Sequence, residues 1–125
     1  MRSSASRAVG AFGLDVVLVV AFAATGRASH DENLFAGLWT TAWPFLAAFV
    51  MGWLITLAWR APAAPVRTGL GVWAVALVGG MLLRATSGQG TALPFIIVAA
   101  IVLLLALVGW RVIVALIVRR HRRSA

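Results

Sequence analysis

Long apolar blocks parted by short polar segments constrain this chain more than any other feature. They cover residues 8–26, 37–59, 67–85 and 93–118. Each block approaches the roughly 20 helical residues that cross a hydrocarbon layer of about 30 Å. Their apolar residues lack the one-sided period of a soluble amphipathic helix, so no single internal core can take them all. The 125 residues are 62% hydrophobic and only 11% charged, far from the make-up of a soluble domain. The expected fold is therefore all-α: a polytopic membrane protein with four transmembrane helices in one domain. A basic tail over residues 119–125 completes it.

Two short segments recur along the chain. Thr41-Ala42-Trp43-Pro44-Phe45 returns as Thr91-Ala92-Leu93-Pro94-Phe95, and Trp59-Arg60 returns as Trp110-Arg111. The recurrence predicts two helical hairpins built as parallel repeats, entering the bilayer from the same side. In this reading each proline lies in the first turn of its helix, where a missing N–H costs nothing. Thr40, Thr41 and Thr91 are then placed to cap those helix starts. Pro62 and Pro65 mark the turn between the second and third spans, and Ser87-Gly88-Gln89-Gly90 the next one. Small residues at four-residue spacing, Ala48, Gly52 and Thr56, then Ala76 and Gly80, predict close helix packing. So thin a bundle is also expected to oligomerise.

Arginine placement gives a direction. Arg2, Arg7, Arg60, Arg67 and the arginines of Arg119–Arg123 fall on one side, and Arg27 and Arg84 with Asp31 and Glu32 on the other. Both termini are expected in the cytoplasm, at the cell membrane. The first span has the basic start of a secretory signal, but Asp15 inside it, and its role as partner of the second span, favour a retained helix. The net charge of +8 is accounted for by this flanking pattern, so nucleic acid is not expected as a partner. Anionic lipid at the basic tail is.

Polar side chains inside the spans need a reason, because a charge at mid-bilayer costs about 2.5–3.5 kcal/mol on insertion scales. Asp15 lies eight residues after Arg7, and Arg111 eight before Arg119. Equal depth from one side makes Asp15–Arg111 a candidate ion pair, and exchanging the two charges is then expected to rescue either single variant. The alternative keeps Arg111 at the interface beside its counterpart Arg60, leaving Asp15 to carry protons. A second candidate is an outer polar cluster of Arg27, His30 and Arg84, either an anion site or a solvated rim. Trp39, Trp59 and Trp110 suit interfacial anchoring; Trp43, Trp53 and Trp73 suit packing. There is no cysteine, and no metal or other cofactor is expected. No phosphate loop, serine elbow or carboxylate dyad is present, so catalysis is not expected.

Asp15 in the run leading to Phe22, Gly26-Arg27, His30, Pro44-Phe45, Gly52-Trp53, Arg84 and Gly109-Trp110-Arg111 form an ordered set along nearly the whole chain. In this set the chain resembles a family of unknown function, number three-thousand-and-fifty-four, small integral membrane proteins of bacteria and archaea. The resemblance implies four spans and puts Asp15, Arg27, His30, Arg84 and Arg111 in the family pattern. It implies no substrate or reaction. Two functions follow as expectations: a membrane protein that packs with lipid or a partner, or a homodimeric proton-coupled or anion-handling transporter using Asp15.

Overall fold

A backbone surrounded by hydrocarbon must satisfy its own hydrogen bonds, which makes helices the natural response to four apolar blocks. The computed structural model describes residues 3–27 and 34–124. Its helices are α1 (Ser4–Arg27), α2 (Leu34–Ile55), α3 (Gly71–Thr86) and α4 (Leu93–Ser124). A π-helical segment, Pro65–Leu70, leads directly into α3, so the third crossing runs over Pro65–Thr86. All four are long and apolar enough to cross a membrane. They form a ring in which α1 packs on α2 and α4, and α3 packs on α2 and α4. Large apolar side chains such as Val17, Leu54, Leu82, Ile101 and Leu105 point outward, as expected where lipid is the solvent.

The closest approach joins α2 to α3, and the small-residue stripes lie on it. A Cβ on Gly52 would stand 3.3 Å from the Val72 backbone, and one on Gly79 2.9 Å from the Ala48 Cβ. A Cβ on Gly80 would meet the Phe45 ring at 2.5 Å. These stripes are used inside the bundle. Phe22, Phe45 and Phe95 pack together toward one end, with ring centroids 5.2–6.3 Å apart. Phe12, Phe49 and Trp53 do so toward the other, at 5.2–6.4 Å.

Three boundaries differ from the sequence expectation. First, α2 begins at Leu34, so Thr40, Thr41 and Pro44 lie within the helix and not at its start. Pro44 cannot donate to the Thr40 carbonyl four residues back. Gln89 supplies a donor instead, its Nε2 bonding Thr40 O at 3.0 Å. Pro94, by contrast, is the second residue of α4, where the expected first-turn placement holds. Second, α2 stops at Ile55 and not at Trp59. Leu57 adopts a left-handed conformation (φ 52°), followed by a 3-10 turn over Ala58–Arg60. Third, α4 runs on through the basic segment to Ser124, so most of the expected tail is helical.

Candidate site: a buried ion pair framed by two indoles

Asp15 on α1 and Arg111 on α4 meet inside the bundle, and neither side chain is exposed at all (0%/0%). The contact is bidentate: Arg111 Nη1 donates to Asp15 Oδ1 at 3.0 Å and Nη2 to Oδ2 at 2.6 Å. A planar guanidinium presents parallel donors that match a carboxylate in this way. Two indoles complete the anion's shell. Trp110 Nε1 donates to Oδ1 at 2.8 Å, and Trp53 Nε1, from α2, to Oδ2 at 2.9 Å. Each carboxylate oxygen therefore accepts two N–H groups.

The cation is held equally firmly. Arg111 Nε donates to the Pro62 carbonyl at 2.8 Å, and Nη1 also to the Leu107 carbonyl at 2.7 Å. Its stem passes Gly69 so closely that a Cβ there would lie 3.2 Å from Arg111 Cδ. That glycine belongs to the π-helical segment, and Thr68 beside it bonds the Ala61 carbonyl through its hydroxyl at 2.6 Å. The Arg111 Cζ also stands 4.5 Å from the Trp110 ring centre, a cation–π distance. One buried charge pair thus ties α1, α2, the α2–α3 connection, the π-helical segment and α4 together. No buried side-chain nitrogen or oxygen among the described residues lacks a hydrogen-bond partner.

Of the residues singled out from sequence, Asp15 and Arg111 come together. The interfacial placement of Arg111 beside Arg60 is not observed: Arg111 is buried while Arg60 is exposed, so the two Trp-Arg segments occupy different environments. Trp53 packs on Phe12 and Phe49 as its sequence position suggests, but its N–H, like that of Trp110, also holds one carboxylate oxygen, a role the sequence does not show. Their rings are as apolar as the expectation required; only the rotation of α2 and α4 reveals where each N–H points.

Arg84 stands at the opposite end. It closes the α3–α4 turn, with Nε and Nη2 on the Gly90 carbonyl at 3.0 and 2.8 Å and Nη1 on Gln89 Oε1 at 2.9 Å. Its Cζ lies 4.3 Å from the Phe95 ring centre. Arg84 therefore orients the Gln89 amide that reaches Thr40. The outer cluster cannot be assembled further: the Arg27 side chain and His30 lie outside the described residues. Among the described residues no group of His, Cys, Asp or Glu is arranged to hold a metal ion.

No curated protein and no solved structure matches the chain. A family model matches residues 12–114, from just before Asp15 to just beyond Arg111. The chain belongs to DUF3054, a family described as proteins of unknown function.

Proposed function

We propose that this chain is a multi-pass protein of the cell membrane, with both termini cytoplasmic, that acts by packing with lipid or a partner protein. In this reading it is not an enzyme, and its buried ion pair is a structural clamp rather than a proton carrier. The observation that carries the reading is the saturation of Asp15. A carrier must exchange its proton with water on each side in turn, whereas this carboxylate is fully enclosed and already accepts four N–H donors. Releasing it would leave a guanidinium buried without its counter-charge, which typically costs about 3–5 kcal/mol.

Asp15→Asn tests the reading. A clamp loses abundance and thermal stability in detergent, and vesicles carrying the wild-type protein take up no protons when an ion gradient is imposed. Retained abundance and stability together with lost proton-coupled flux would replace the clamp by the transporter.

A further inference from the structure

A crevice of about 660 Å³ opens beside the ion pair, at the end of the bundle where the α2–α3 connection lies. Its volume is within the roughly 300–1,000 Å³ of small-molecule sites. Arg7 and Leu14 on α1 form one wall, Trp110 and Val114 on α4 the other, and Trp59 and Arg60 belong to the connection between them. Trp110 is shared: it lines the crevice while its N–H holds Asp15.

Two arginines line this space and, among the described residues, no acidic residue does. Asp15 is the only acidic residue among those described, and Arg111 and the two indoles occupy it. Neither the Arg7 nor the Arg60 side chain has a hydrogen bond or ion pair among the described residues. Among the described residues no carboxylate is placed to serve them, which leaves them available to an anion from outside the chain. The remaining walls select its class. Indoles favour the level of headgroups and glycerol esters, and Leu14 and Val114 offer an apolar track. Depth agrees: Arg7 lies eight residues, or about 12 Å of helix, outward from the enclosed Asp15. A small hydrated anion has use for the arginines only, whereas a lipid has use for every wall.

We propose that this crevice binds the headgroup phosphate of an anionic phospholipid, with Arg7 and Arg60 on the phosphate and an acyl chain along Leu14 and Val114. Arginine is suited to phosphate by its fork of donors, and basic pockets between membrane helices take acidic headgroups. The proposal rests on the clamp reading in one respect: Arg111 is committed to Asp15 and does not serve the crevice. The site is separate from the diffuse attraction of the basic segment of α4.

Native mass spectrometry of the full chain, released from micelles doped equally with phosphatidylglycerol and phosphatidylcholine, tests it. Wild type is expected to retain phosphatidylglycerol preferentially. Arg7→Gln with Arg60→Gln should lower that retention about tenfold or more, given roughly a kilocalorie per arginine. Gly10→Phe should lower it likewise without touching charge: Gly10 lines the crevice, a Cβ there meets nothing within 4 Å, and an unchanged unfolding midpoint is the check that the larger ring leaves the fold intact. Arg122→Gln with Arg123→Gln should keep the preference.

Equal loss in the α4 variant, or full retention in Gly10→Phe with an unchanged unfolding midpoint, overturns the proposal. So does displacement of the lipid by excess inorganic phosphate, which would mark a free-anion site. All these readings are ratios of bound lipid, so failure here is distinct from failure of the clamp, which is read from Asp15→Asn stability and proton flux.

Discussion

Asp15 and Arg111 are each matched to a particular surround, and that surround decides which substitutions can be compensated. Exchanging the two charges was expected from sequence to rescue either single variant. The geometry opposes this, since a carboxylate at position 111 would face the Pro62 and Leu107 carbonyls, and a guanidinium at position 15 would face two indole N–H groups. Asp15→Asn and Arg111→Met should each lose about 3–5 kcal/mol of stability, read by circular dichroism during unfolding in detergent. Removing both charges with Asp15→Leu and Arg111→Met should recover most of that loss, whereas the exchange should recover none. Trp53→Phe and Trp110→Phe each delete one donor to an anion and should each cost about 1.5–3 kcal/mol by the same measurement. The charge pair was legible because Asp15 and Arg111 lie equally far from the basic residues at their helix ends. The indoles were not, because nothing in their spacing distinguishes a tryptophan that donates inward from one that faces lipid.

At the scale of helices, the contacts that set the bundle are the close approach of α2 to α3 and the repair of α2 at Pro44. Gly80→Ala forces a methyl against the Phe45 ring and should destabilise by about 1–3 kcal/mol, partly offset by alanine's better helix propensity. Gly13→Ala on α1, where a Cβ meets nothing within 4 Å, should be neutral or mildly stabilising. The repair makes a separate prediction. Gln89→Ala should cost about 0.5–1.5 kcal/mol, because the Thr40 carbonyl loses the amide that stands in for proline's missing N–H. In a Pro44→Ala background, where residue 44 donates again, the same change should cost much less. A double-mutant cycle that returns simple additivity would contradict this link. Four crossings and the small-residue stripes were readable from block length and four-residue spacing. The end of α2 was not: Leu57 takes a left-handed conformation that usually favours glycine, so no stop signal stands where the helix stops. Nor was the depth of Pro44 within α2, because the polar segment before it gave no cap from which to count.

The whole molecule has a polarity that the ion pair and the Phe22–Phe95 contact define together. Asp15 lies at the middle of α1 and Arg111 beyond the middle of α4, and their contact, together with that of Phe22 with Phe95, makes the two helices antiparallel neighbours whose free ends project the same way. Which way is set by arginine. Arg7, Arg60, Arg67 and the Arg119–Arg123 segment gather at the end where α1 starts and α4 stops, while Arg84 marks the other. Positive charge resists translocation, so the arginine-rich end should remain in the cytoplasm. The absence of cysteine makes this directly measurable, because any thiol introduced is the only one present. In intact cells a membrane-impermeant maleimide should label Thr86→Cys, at the α3–α4 turn, and spare Ser6→Cys and Ser124→Cys until the membrane is opened. Labelling of Ser6→Cys and Ser124→Cys from opposite sides would be incompatible with the antiparallel contact of α1 with α4. Labelling of both from outside would leave that contact intact and reverse only the direction in which the charge bias drives the bundle. Replacing the four arginines of Arg119–Arg123 by glutamine should then separate the two influences, weakening the preference for one direction while leaving the ends on a common face.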